Sequence, residues 1–309
     1  MANYSKLTSQ ELSLLLEQYD LGEPLQISPL EGGQANSSLK ISTTKGDFTL
    51  SICDEKNSEE IQNLTAIMEE LEKQKFPTTR LVKTDDNRRF ISHNNKPVYV
   101  KKFIPGNIIS ALTPEMLRLV GGSIAHLHSL VPLDSMNNFF PYGIEAFDRL
   151  LNEPISHQYI DWLADKKSYL EDSVDPDMPK GFIHGDIFWD NLLFEKDSLV
   201  AILDFEEASH FYKLFDIGMA AVGCCSSKGS FNISSIRQLL QGYTELSPFT
   251  ASEKSQLNIF IEYAAVATSF WRFRQYNVRQ PIQEKANSYM EMSSLADQIH
   301  TLKTAPLLD

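Results

Sequence analysis

The chain has 309 residues, 42% of them hydrophobic and 22% charged, enough apolar material for one large core or two smaller ones. Its 28 basic and 41 acidic residues leave a net charge of −13, which argues against nucleic acid or an anionic membrane as the main partner, because no Lys/Arg run concentrates countercharge for a polyphosphate. No run reaches the ~18 apolar residues of a membrane span, and the N-terminus lacks the regions of a secretion signal, so a cytoplasmic protein is expected, with Cys53, Cys224 and Cys225 as reduced core thiols.

In chain order, leucines at 12, 14, 15 and 16 predict a short amphipathic helix over Thr8–Tyr19. Two alternating runs, Ser37–Ser42 and Phe48–Cys53, read as strands joined by a turn containing Lys45-Gly46-Asp47. Ahead of them lies Glu31-Gly32-Gly33-Gln34-Ala35-Asn36-Ser37. A glycine pair there lets backbone N–H groups approach a phosphate with no Cβ in the way, or serves a plain hairpin turn. Asn57–Lys75 places Ile61, Leu64, Ile67, Met68 and Leu71 on one helical face, with Glu59 and Glu60 in its first turn. Val98–Phe103 is an apolar strand that ends in Pro105-Gly106, where the chain passes from one lobe to another or simply turns.

Thr113-Pro114-Glu115 opens a helix that runs through Leu130. His126 and His128 on it are two apart, on different faces, and make a poor metal pair. An aromatic, loop-rich region follows, with Phe139-Phe140-Pro141-Tyr142-Gly143 at its centre, then a helix over Gln158–Leu170. The densest stretch is Gly181–Asp204, GFIHGDIFWDNLLFEKDSLVAILD. It reads as a hairpin of strands Asn191–Phe194 and Leu199–Leu203 preceded by His184-Gly185-Asp186. An Asp on a loop accepts the proton of an incoming hydroxyl, and an Asn amide oxygen with a second Asp supplies hard ligands to Mg²⁺ beside nucleotide phosphates. The chemistry that this pattern points to is phosphoryl transfer.

The stretch HGDIFWDNLLF…ILDFEEAS resembles the catalytic core of the aminoglycoside phosphotransferase/choline kinase superfamily, and is most similar to the type II homoserine kinase branch. The resemblance implies an α+β, bilobal protein-kinase-like fold: a small antiparallel-sheet N-lobe over 1–105 and a mainly helical C-lobe over 106–309. It implies Asp186 as catalytic base, His184 as a brace of its loop, and Asn191 and Asp204 as Mg²⁺ ligands. It implies ATP contacts from Gly32, Gly33, Asn36 and Ser37 in the covering loop, and from Lys101 and Phe103 in the segment that meets adenine. Kinase folds usually carry a Lys on the second strand; here Ser51 occupies that slot, with Lys56 or Lys40 as candidate substitutes.

After Asp204 comes Phe205-Glu206-Glu207, with no activation segment for a peptide substrate, so the expected acceptor is a small-molecule hydroxyl. Asp216 reads either as the family's buttress of the catalytic loop or as a cap of the helix Ile217–Cys225. Within the helical remainder, Arg272 or Arg274 is placed to clamp a substrate carboxylate, with Glu206, Glu207 or Glu262 to receive an ammonium; the alternative is a core helix with surface arginines. Homoserine is the first-choice acceptor. Choline, amino sugars, methylthioribose and aminoglycosides are the alternatives, and a nucleotide-binding pseudokinase module is the reading from another class, prompted by Ser51.

Overall fold

Period-two alternation builds the first sheet. In the computed structural model, which describes residues 7–30, 36–136, 139–302 and 307, the chain forms two units, Met1–Asn107 with Val200–Leu203, and Ile108–Leu199 with Asp204–Asp309. The first unit opens with α1 (Ser9–Leu16), started by a capping box in which Thr8 and Glu11 exchange side-chain and backbone hydrogen bonds. Strands β1 (Pro24–Pro29), β2 (Asn36–Thr43) and β3 (Gly46–Cys53) follow, then α2 (Ser58–Lys73), β4 (Leu81–Val82), β5 (Ile91–His93) and β6 (Lys96–Lys102). The antiparallel order is β1-β2-β3-β6-β4, with β5 on β6.

Register explains which side chains go inside. Ile41, Phe48, Leu50, Ile52, Val98 and Val100 share one face and form a core with Leu12, Leu15 and Tyr19. Each such side chain contributes about 1.5–3 kcal/mol on burial, and a one-residue slip would turn the whole set to the other face. That other face carries Ser38, Lys40, Thr49, Ser51, Tyr99 and Lys101. On α2 the five predicted apolar residues are buried, while Glu60 closes a capping box with Asn57. Its carboxylate is thus committed to the helix start.

The division falls in β7 (Asn107–Ile108). The second unit contains α3 (Pro114–Ser129), α4 (Asp148–Leu151), α5 (Gln158–Ser173), β8 (Lys180–Ile183), β9 (Leu192–Glu195) and β10 (Ser198–Ile202), whose last residues group with the first unit. It continues with β11 (Ser209–Tyr212), α6 (Lys213–Cys224), β12 (Ser226–Ser227), β13 (Ser230–Phe231), α7 (Ile233–Leu246), α8 (Ala251–Phe273) and α9 (Ser288–Thr301). Strand β11 pairs antiparallel with β8, Ser209 opposite Ile183, which fixes where the chain leaves β8. Among the described residues no helix is long and apolar enough to cross a membrane, and Cys224 and Cys225 are free thiols.

Helices α3 and α7 meet backbone to backbone. A Cβ on Gly121 would lie 2.0 Å from the Leu239 carbonyl oxygen, and one on Gly242 would lie 2.0 Å from that of Arg118. Gly242→Ala is expected to destabilise the protein by about 3 kcal/mol through overpacking, although alanine is the better helix former. The urea midpoint checks it.

Candidate active site

The loop after β8 is shaped by Gly185. Its φ is +84°, and a Cβ there would sit 2.8 Å from both the Glu207 carbonyl oxygen and Cε2 of Phe140, so conformation and space each require glycine. His184 is fully buried against the Phe205 ring, and its Nδ1 accepts the Asp186 N–H at 3.1 Å.

Asp216 holds the same loop from below. Its two carboxylate oxygens accept the N–H groups of His184 and Gly185, each at 2.7 Å. Because α6 begins at Lys213, ahead of the expected Ile217, Asp216 lies within the helix's first turn and the start at Tyr212 has no side-chain cap. The capping reading is therefore corrected, and the buttress is what the geometry contains. Behind it, His128 Nε2 lies 3.3 Å from the carboxylate, and His128 Nδ1 lies 3.0 Å from the Tyr243 hydroxyl. This buried relay joins α3, α6 and α7. Sequence spacing missed it, since its members are far apart in the chain.

Asn191 donates its amide to the Asp186 carbonyl at 2.9 Å and to Asp186 Oδ2 at 3.1 Å, which turns its own Oδ1 away from Asp186. Asp204, at the end of β10, has left-handed backbone, φ 63° and ψ 69°. A non-glycine residue there costs on the order of 1–2 kcal/mol, the kind of strain that clusters at functional positions. Burial pushes Asp186 up to about 8, helped by the charges of Asp204, Glu207 and Asp190 and opposed by the Asn191 hydrogen bond. Asp190 is raised as well, chiefly by burial, with Asp204 adding to it and Arg272 opposing. Tyr142 is raised by burial and by the charges of Glu207 and Asp186, and it shares a hydrogen bond with Glu207.

The charges of Asp204, Glu207 and Asp190 thus all act on Asp186. Asn191 and Asp204 are hard oxygen donors, and the mutual repulsion that raises Asp186 is what a divalent cation neutralises, so these residues fit Mg²⁺. Among the described residues no three His, Cys, Asp or Glu side chains form a metal-holding group, so an ion held by Asn191 and Asp204 would need water and ligand oxygens as well. Asp190 lies inside the quoted stretch but outside its recognised spacing, so no separate signal marked it.

The first unit distributes its candidates differently. Gly32 and Gly33 lie outside the described residues. Asn36 opens β2, opposite Cys53. Ser37 shares the face of Ile52, and its hydroxyl donates to Asp54 Oδ2 at 2.7 Å. Lys101 lies directly across from Thr49 and shares the Ser51 face, with Nζ 5.3 Å from the Tyr99 ring centre and no ion pair among the described residues. Lys40 also lies on that face, but it pairs with Asp47 at 2.7 Å and covers the Phe103 ring at 4.1 Å. Ser51 stands 3.2 Å from the Ser38 hydroxyl.

Two acceptor candidates are spoken for. Glu262 is buried between Lys166 at 2.9 Å and His300 at 3.0 Å. Arg272 donates to the Ser288 carbonyl at 3.1 Å, with Glu291 at 3.4 Å.

Three comparisons bear on this geometry. A family model described as "Phosphotransferase enzyme family" matches residues 26–249. Homoserine kinase from Phenylobacterium zucineum is 27% identical over 285 residues, covering 90% of this chain and 88% of that one. Homoserine kinase from Caulobacter vibrioides is 28% identical over 282 residues, covering 86% and 87%. Among solved structures, an aminopropanol kinase associated with a microcompartment superposes with TM-score 0.74 at 15% identity, over 98% of this chain and 99% of that one. An amicoumacin kinase solved with AMP-PNP and Ca²⁺ does so with TM-score 0.74 at 12% identity, over 98% and 95%. These structural likenesses establish an α+β kinase-like fold, with an antiparallel sheet in the N-terminal part and a helical C-terminal part.

Proposed function

We propose, from the premise that this chain belongs to the phosphotransferase enzyme family, that it transfers the γ-phosphoryl group of ATP to the side-chain hydroxyl of homoserine. The coarser statement, a small-molecule phosphotransferase acting on an alcohol, stands on the family and its relatives. The observation that carries the finer one is the half-buried Asp186, held by Asn191 and acted on by the Asp204 charge, in a chain that homoserine kinases match over most of its length.

In this reading Asp186 takes the hydroxyl proton as the acceptor oxygen bonds the γ-phosphorus. The bond to the bridging oxygen breaks, and its electron pair leaves with ADP. Asn191 fixes the Asp186 carboxylate, while Asp216 and His184 hold the loop that carries it. Asn191 Oδ1 and Asp204 would hold Mg²⁺, which when bound neutralises charge on the phosphates. Lys101 and Phe103 are the nucleotide contacts proposed in the first unit, and the position of Lys101 on the Ser51 face, with no ion pair among the described residues, supports that assignment.

The test is ADP release with Mg²⁺-ATP against homoserine, choline, methylthioribose, hexosamines and aminoglycosides. Stimulation by homoserine at least 100-fold above the others in kcat/KM is expected. Stimulation by another acceptor would keep the reaction and replace the substrate. ATP binding without turnover on any acceptor would favour the pseudokinase module.

A further inference from the structure

Strand register lines up one row of side chains across the middle of the first sheet. Lys40 on β2 stands opposite Thr49 on β3, and Thr49 stands opposite Lys101 on β6. In the next row of the same face, Ser38 stands opposite Ser51, and Ser51 opposite Tyr99. Ser51 is buried, with its hydroxyl 3.2 Å from that of Ser38, so the slot that usually carries a kinase lysine holds no charge. A triphosphate on this face still calls for a cation, and the face itself limits where one can stand.

Four nearby lysines are committed or lie elsewhere. Lys40 pairs with Asp47 at 2.7 Å and covers the Phe103 ring, and Lys96 pairs with Asp54 at 2.6 Å. Lys102 stands opposite Phe48, on the other face, and Lys56 lies past the end of β3. On α2, Glu60 closes the helix cap and Glu69 is held by Lys83 Nζ and Arg89 Nε, each at 2.6 Å, so neither acid steadies a sheet lysine. Lys101 is half-buried and makes no ion pair among the described residues; its Nζ lies 5.3 Å from the centre of the Tyr99 ring. Diagonal neighbours on antiparallel strands stand about 7 Å apart, a reach that the four-carbon stem of a lysine covers, so Lys101 commands the space beside Ser51.

We propose that Lys101 supplies the phosphate-binding cation that position 51 lacks, the charge having moved one strand over, from β3 to β6. The Tyr99 ring orients the ammonium without neutralising it, as a carboxylate would. The assignment gives Lys101 to the phosphates and not to adenine: a compact ammonium with three donors gains most from anionic oxygens, and an uncharged purine offers it none. Ser51 then belongs to an intact nucleotide site, since the missing charge is present on the same face.

The inference rests on ATP as the donor and is independent of which alcohol accepts. ATP with Mg²⁺, and adenosine alone, are titrated calorimetrically into the wild type, Lys101→Met, Lys101→Arg and Lys40→Met, with urea midpoints to show that each variant is folded. Methionine keeps the stem of the lysine and removes only its charge. Lys101→Met is expected to weaken ATP about 30-fold while adenosine stays within about twofold of wild type, and Lys101→Arg to recover most of the ATP affinity. Equal losses for ATP and adenosine in Lys101→Met would place the side chain at the base and overturn the phosphate role. Unchanged ATP affinity in Lys101→Met, or a larger selective loss in Lys40→Met, would overturn it as well, the latter by assigning the charge to β2. A wild type that binds no ATP would end the donor reading and this assignment together, whereas wild-type binding that Lys101→Met leaves intact removes the assignment alone.

Discussion

Asp186→Asn is expected to lower kcat by on the order of 10³-fold while nucleotide binding persists, because the amide cannot take the hydroxyl proton but keeps the shape of the carboxylate. Single-turnover kinetics with ATP titration separates the two effects, and undiminished turnover would remove Asp186 as the base. The same variant carries a second expectation. The native state binds the Asp186 proton more tightly than the unfolded chain does, holding it up to about 8 against an ordinary 3.8. Stability from this group is therefore present at acid pH and is lost as pH rises from about 4 to about 8. In metal-free protein, Asp186→Asn should melt a few degrees above wild type at pH 8.5, and the gap should close near pH 4. Adding Mg²⁺ should narrow the gap at pH 8.5, since a cation beside Asp204 lowers the cost of the Asp186 charge. A variant that melts below wild type at pH 8.5 would show that the carboxylate is not held against its charge.

Asp216→Ala is expected to be the most damaging change to the loop. It strips the acceptor from two buried backbone N–H groups and from His128 at once, and buried networks that lose their charged member typically cost about 3–5 kcal/mol. Turnover should fall together with the denaturation midpoint. In hydrogen exchange, the His184 and Gly185 amides should lose protection first. If those amides stay protected, another group holds the loop, and the role assigned to Asp216 is wrong.

The contrast between these two aspartates marks what could be read in advance. Asp186 stands in a short stretch with Asn191 and Asp204, and all three serve one local hairpin, so fixed spacing along the chain carried their relationship. The antiparallel sheet and the apolar face of α2 were legible for the same reason. Periods of 2 and 3.6 are properties of neighbouring residues, and burial of Leu50, Ile52, Leu64 and Leu71 follows from them. Asp216 was ambiguous because capping and buttressing need the same carboxylate near a helix start. Only the early beginning of α6 decided between them.

By itself, then, the sequence determined the reaction class, the hairpin that follows Asn191 and the mixed α+β architecture. It determined nothing about which of several similar charges is spare. Glu262 and Arg272 looked as available as Arg274 until α9 and α5 supplied their partners, His300, Ser288 and Lys166. The same holds for Lys40, taken by Asp47 across the hairpin while Lys101 is left without an ion pair among the described residues. The physical reason is that a charged side chain is satisfied through space, by groups tens of residues away, and no period in the chain records which group that will be.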